Sequence, residues 1–308
     1  MTLFRALWRN RPARVGLLIL AVFALVAAFG PLMTRDASAF LAEPLAPPSW
    51  QYWLGTTRQG QDVFARLIVG TRTSLGVGLF VGALVMLIGS LVGLTAAYFG
   101  GIVDDVLSLC VNVFLILPGL PLAVVLAAFL ESGPRTIALV LVVTGWAWNA
   151  RVVRAQALAI RQKDFVVSAI ALGEHPFRVM ATEILPNMTS IVFSCFIGAT
   201  MHAIGAQVGL EFLGLGDVSQ VTWGTNLFWA VTNQDILTES WWTMLPTGLA
   251  IATFGFALVL VNFGIDEVTS PRLGVARAYS ALVGTRTAIA RLTTPVVMER
   301  VPSREAAG

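Results

Sequence analysis

Charge is scarce in this 308-residue chain: 12% of its residues are charged and 56% are hydrophobic. A soluble domain carries about 25% charge. Lysine is nearly missing, with Lys163 alone, and the histidines are His175 and His202. These shortages exclude several chemistries. A Walker phosphate loop ends in Lys-Ser or Lys-Thr behind a glycine-rich turn. Lys163 instead precedes Asp164 and has no glycine in the dozen residues before it. A helical zinc-protease motif needs two histidines four residues apart, and no G-x-S-x-G nucleophile elbow occurs. Cys110 and Cys195 lie in apolar runs without metal-ligand spacing and read as small buried hydrophobes. No apolar run holds an aspartate pair; Asp104-Asp105 reads as a solvated turn or a run-end charge beside Gly100-Gly101. The net charge of +3 is no nucleic-acid signal, and no nucleic-acid partner is expected.

What remains is apolar sequence in long uncharged stretches, each about the 20 residues that a membrane-spanning helix needs. Six spans are expected, near Val15–Met33, Leu75–Phe99, Val106–Leu130, Thr136–Val153, Ile184–Gly205 and Trp242–Phe263. Backbone in lipid must satisfy its own hydrogen bonds, so each is read as a helix. The fold class is therefore all-α and polytopic. An even number of spans puts both termini on one side. That side, with Arg151 and the 154–187 loop, carries 15 of the 20 arginines and lysines, and the other side carries 5. Basic residues favour the cytoplasm, so both termini and that loop are expected there. Ala37-Ser38-Ala39 after a basic start resembles a signal-peptide cleavage site, but the apolar run of about 19 residues fits a retained anchor.

The expected organisation follows. Residues 1–14 are a cytoplasmic N-terminus and 15–33 the first span. Residues 34–73 form an external segment that is irregular around Pro44, Pro47 and Pro48. In that segment Val63, Phe64, Leu67 and Ile68 fall on one helical face, which suggests a short amphipathic helix on the outer surface. Residues 74–264 make a five-span core, and 265–308 a polar cytoplasmic tail. In the second span Gly78, Gly82, Gly89, Gly93, Ala96 and Gly100 fall within an arc of about 60° at 100° per residue. Such a stripe is a helix-packing face. Trp50, Trp53, Trp223, Trp229, Trp241 and Trp242 cluster toward the outer interface, and Trp8, Trp146 and Trp148 toward the inner one, as aromatic belts do. Polar residues inside spans are few: Asn112, His202 and Gln207, with Glu211 at the outer end of the fifth span and Asn262 near the inner end of the sixth. They serve either interhelical hydrogen bonds or a watery path.

The polar loop Asp164–Asn187 carries Ala169, then Gly173, then Leu185-Pro186-Asn187. This spacing resembles the EAA loop of ABC-transporter permeases, with Val167, Ser168 and Ala169 standing where that family has Glu-Ala-Ala. Leu54-Gly55-Thr56 followed by Gly60, Asp62, Arg66, Gly70, Arg72 and Ser74-Leu75 resembles the dipeptide/oligopeptide/nickel branch, departing from it at Thr57 and Gln61. Phe212-Leu213-Gly214-Leu215-Gly216 with Trp223-Gly224, and Pro271-Arg272-Leu273 after Ser270, are similar to the same branch.

The resemblance implies a type I importer permease fold and a binding-protein-dependent importer in the cell membrane. It implies a second homologous permease, two ATP-binding subunits and an extracytoplasmic substrate-binding protein as partners in the lipid bilayer. No cofactor would be bound by this chain; ATP and Mg would sit on the ATPase subunits. Ser168, Ala169, Leu172, Gly173, His175, Phe177 and Pro186 would couple to the ATPase. Asn112, His202, Gln207 and Glu211 would be candidates for the translocation path. The substrate would be a peptide or related small solute. An oligosaccharide-importing member and an ATP-independent secondary transporter are the alternatives.

Overall fold

The computed structural model describes residues 7–40 and 42–269. The polar tail expected over 265–308 and the Pro271-Arg272-Leu273 motif therefore fall wholly or almost wholly outside the described residues. Residues through Ile265 form one compact unit, and a second begins at Asp266.

The described elements are helical, apart from one isolated bridge between Thr56 and Asp62. They are α1 (Arg11–Met33), α2 (Val63–Phe99), α3 (Gly101–Ile116), α4 (Gly119–Phe129), α5 (Pro134–Arg161), α6 (Asp164–Ala171), α7 (Pro176–Arg178), α8 (Thr189–Phe212), α9 (Trp223–Thr232) and α10 (Leu245–Thr269). Among the described residues five helical runs are long and apolar enough to cross a membrane, six if α3 and α4 count as one.

Helix α2 is the centre of the bundle. Its 37 residues extend about 55 Å, well beyond a hydrocarbon core of about 30 Å. The surface-lying helix expected at Asp62–Val69 is instead the first two turns of α2, with Val63, Ala65 and Arg66 buried. Asp62 starts it, its Oδ1 accepting from the amides of Phe64 (2.9 Å) and Ala65 (3.4 Å). The glycine stripe works as a packing face, on two partners in succession. Gly78 and Gly82 lie against Ile204 and Thr200 of α8. Gly89 and Gly93 lie against α5, where an added Cβ would stand 2.8 Å from the Asn149 Cβ and 2.6 Å from the Ala150 carbonyl oxygen.

The third span is not one straight helix. Helices α3 and α4 meet at 82°. Pro118 has no amide hydrogen and pushes the preceding Leu117 into extended backbone (φ −68°, ψ 130°), which ends α3.

One end of the bundle is closed by the 34–62 segment and α9. Thr56 is buried there; its hydroxyl donates to the Glu43 carbonyl (2.6 Å) and accepts from the Ala46 amide (2.7 Å). Arg66 donates to Asn226 Oδ1 (3.0 Å) and Gln61 Oε1 (2.6 Å), tying α2 to α9. Trp223 is fully buried and no belt residue. Its backbone amide donates to Ser74, its indole donates to Thr71, and its ring meets Phe23 and Phe254 edge-on. Cys110, expected to be buried, is exposed on α3, and Cys195 is half-buried.

Candidate functional site

The opposite end of the bundle carries the α2–α3 turn and residues 162–188. Helix α6 follows α5 after a short turn at Gln162-Lys163. It stops in a Schellman arrangement: the Gly173 amide donates to the Ile170 carbonyl (3.0 Å) and the Glu174 amide to the Ala169 carbonyl (3.2 Å). Gly173 sits at φ +76°, in the left-handed region that favours glycine. A Cβ there would meet nothing within 4 Å, so conformation and not crowding calls for glycine. His175 then opens the three-residue turn α7, its Nδ1 accepting from the Phe177 amide (3.3 Å).

From Pro176 the backbone stays helical to Phe212, but its winding changes. Val179–Ile184 is a π-helical stretch and Leu185–Met188 a 3-10 turn. Pro186 lacks the amide that would bond four residues back. The Leu185 amide reaches five residues back, to Met180. Pro186 was expected at the first turn of the fifth span; it lies within a longer helical rod, and regular α-helix begins at Thr189.

The segment has two faces. Val166, Ala169, Val179, Ile184 and Met188 are buried against Met86, Leu94 and Ala97 of α2 and Val153, Ala157 and Ile160 of α5. Ala169, expected on the docking surface, is thus part of the core. Leu172 (82% exposed) and Phe177 (66% exposed) project from the turn, beside exposed Val167 and Ile170. Ser168 is exposed, and its hydroxyl donates to the Asp164 carbonyl (2.7 Å). The root is packed into the core, and the tip leaves Leu172 and Phe177 uncovered among the described residues.

The four path candidates separate into three places. His202 lines a cavity of about 480 Å³ among α2, α5 and α8, together with Thr144, Trp148, Asn149, Ser194 and Cys195. Asn112 lies outside that cavity, accepting from Arg151 Nη2 at 2.7 Å. Gln207 and Glu211 do not face the cavity either; they are 0% and 2% exposed. Gln207 Nε2 donates to Glu211 Oε1 (3.0 Å), and the Thr222 hydroxyl donates to Glu211 Oε2 (2.6 Å). Gly224 and Gly216 close on the same side chain: a Cβ on Gly224 would stand 2.5 Å from it. The FLGLG and Trp-Gly motifs therefore build a clasp between α8 and α9. Gly214 (φ +78°) turns the chain back at the end of α8 so that Gly216 reaches Glu211.

Thr144 and Trp148 line the larger cavity, and Arg151 bonds Asn112 outside it. Their spacing of four and three places them along one helical face, a signal that was legible.

Similarity to known proteins decides what this bundle is. Residues 89–275 match the family described as binding-protein-dependent transport system inner membrane component, 61% of the chain. The chain belongs to this family. Residues 2–48 of the permease also match the N-terminal TM domain of oligopeptide transport permease C. It is 32% identical to the dipeptide transport system permease protein DppC of Bacillus subtilis over 276 residues, covering 88% of this chain and 85% of that one. It is 30% identical to the oligopeptide transport system permease protein OppC of the same organism, covering 86% and 87%. It is also 30% identical to the probable D,D-dipeptide transport system permease protein DdpC of Escherichia coli, covering 83% and 86%. The permease is a multi-pass inner-membrane protein of the non-catalytic subunit class of ABC importers, which work with ATPase and binding-protein partners.

Proposed function

We propose that this chain forms half of the translocation path of an ATP-driven peptide importer, and that Leu172 and Phe177 are its grip on a separate ATPase. The observation that carries the reading is the exposed apolar tip on a root packed into the core. Two large hydrophobic side chains, with Val167 and Ile170 beside them, stand exposed at the basic end of the bundle, where positive-inside asymmetry favours the cytoplasm. Interfaces concentrate their energy in a few such anchors. The peptide class rests on what the relatives are named for, dipeptide and oligopeptide transport. A second permease, two ATP-binding subunits and an external binding protein complete the proposed assembly, with ATP and Mg bound by the ATPases.

In this mechanism the ATPases close on ATP and push the α6–α7 tip. Because α6 and the π-helical stretch share one core cluster with α2 and α5, the push moves those helices together. The cavity around His202 then opens alternately to either side. Of the alternatives, neither an oligosaccharide substrate nor an ATP-independent carrier is favoured by a specific feature. The test is uptake of a labelled mixture of two- to five-residue peptides by vesicles holding the complete complex and its binding protein. ATP-dependent accumulation is expected; accumulation without ATP, or none, contradicts the reading.

A further inference from the structure

A second, smaller cavity of about 160 Å³ lies next to the one around His202, on the same helices α2 and α5 and on α3. Its α2 lining includes Val92 and Gly93, where the larger cavity has Val81 and Val85. Seven residues of helix, about 10 Å, separate Val85 from Val92. On α5 the lining moves likewise from Thr144, Trp148 and Asn149 to Ala150, Arg151 and Arg154, and on α3 from Leu115 to Asn112 and Ser108. The two cavities are stacked along the bundle, the smaller one nearer the 162–188 end.

The two arginines in the smaller cavity differ in their partners. Arg154 is neutralised by Asp104, with Nε to Oδ1 at 2.5 Å and Nη2 to Oδ2 at 2.6 Å, and Ser108 also donates to that carboxylate (3.0 Å). Arg151 bonds the neutral side-chain oxygen of Asn112 at 2.7 Å and has no acidic partner within ion-pair distance among the described residues. Its depth matters. Ten residues further along α5, about 15 Å, Arg161 holds the Ala97 carbonyl beside the α2–α3 turn. Arg151 and Asn112 line the smaller cavity from the exposed surface of the single chain, and a guanidinium so far inside that turn without a carboxylate faces water or a partner rather than lipid. A lipid headgroup phosphate lies at the bilayer surface, not that far below it.

Resting on the peptide-importer reading above, we propose that Arg151, held in place by Asn112, is an anion station on the path that receives the carboxylate of a peptide leaving the larger cavity. Guanidinium and carboxylate match as a two-pronged pair. The single bond to a neutral amide oxygen fixes the arginine without neutralising it, and is weak enough to exchange for the passing carboxylate.

The isosteric substitution Asn112→Asp separates this from a structural role. It keeps the shape and strengthens the α3–α5 tie, but it gives Arg151 a permanent carboxylate. The complete complex is reconstituted, and uptake of the labelled two- to five-residue peptide mixture is compared at equal amounts of assembled complex. Asn112→Asp and Arg151→Gln are expected to lower uptake about tenfold, the value of one charge-assisted bond, and Arg151→Lys, which keeps the charge but loses the fork, to fall between them and wild type. Uptake retained by Asn112→Asp overturns the inference, because only a structural tie would survive that change. A defect that appears in vesicles containing phosphatidylglycerol and vanishes in pure phosphatidylcholine also overturns it, assigning Arg151 to a lipid headgroup. A wild-type complex that accumulates no peptide overturns the importer reading itself and the inference with it. Wild-type accumulation unmoved by both substitutions overturns the inference alone.

Discussion

Glu211 shows how one residue can serve as a fold lock where a transport site was expected. Its carboxylate is enclosed by Gln207, Thr222, Gly216 and Gly224. Gly224→Ala would put a methyl 2.5 Å from that side chain and 3.0 Å from the Val208 carbonyl, which cannot swing aside. Overpacking of this kind costs about 1–3 kcal/mol. Thermal unfolding of the detergent-solubilised chain should therefore begin at a lower temperature in Gly224→Ala than in wild type; equal unfolding would show that the clasp yields freely. Gly173 calls for the opposite comparison. Space is open there and only the left-handed backbone excludes side chains, at about 1 kcal/mol for most residues and less for asparagine. Gly173→Asn should keep ATPase association close to wild type while Gly173→Leu reduces it. Equal loss in both variants would mean that the partner itself crowds the position. Asp235, outside the spans, is buried beside Arg58 (3.7 Å), and burial pushes its carboxyl above the ordinary 3.8. The folded state thus holds this proton more tightly than the unfolded chain. The contribution favours folding at low pH and is lost as pH rises from 3.8 through the folded value. Asp235→Asn should flatten that decline in unfolding temperature as pH rises above 3.8; an unchanged slope would place the pH dependence elsewhere.

At the scale of elements, local chemistry made the spans legible and tertiary contacts made the rest obscure. The glycine stripe of α2 announced close packing, and the structure puts α8 and α5 against it. Nothing in the stripe distinguishes those two partners, since a small residue says only that something approaches. The start of α2 was misplaced because Val63, Phe64, Leu67 and Ile68 look alike on a surface helix and on a buried extension. Arg66 suggested solvent, yet Gln61 and Asn226 solvate it inside. The break at Pro118 falls inside the expected span Val106–Leu130; Pro31 lies within unbroken α1, so a proline alone does not announce such a break. Pro186 has the same local chemistry but a different outcome, a π-helical stretch where a helix start was expected. That stretch adds a residue to the turn between the Leu172–Phe177 tip and α8. In Pro186→Ala an amide becomes available to the Thr182 carbonyl, and the rod should wind regularly. The chain should then remain in the membrane while its cross-linking to the ATPase from position 177 weakens. Undiminished cross-linking would mean that the break does not aim the tip.

For the whole molecule, the division of roles follows from where charge and apolar surface end up. One end is locked by the clasp, the buried Arg66 network and the 34–62 segment; the other exposes an apolar tip above a shared core. Membrane class and the place of the Asp164–Asn187 loop between two spans could be read from the sequence, because apolar run length and motif spacing are local properties. Ala169 could not be told from Leu172, because burial depends on helices more than sixty residues away in sequence, such as α2. The central claim is that Leu172 and Phe177 anchor the ATPase. Its most direct measurement is the amount of ATPase subunit that co-purifies with Leu172→Ala, Phe177→Ala and the double variant, at equal membrane levels of the permease. Each anchor of this kind is worth about 2 kcal/mol, so each single variant should weaken association roughly thirtyfold and the double variant should lose the ATPase. Full co-purification of the ATPase with the double variant would contradict the account.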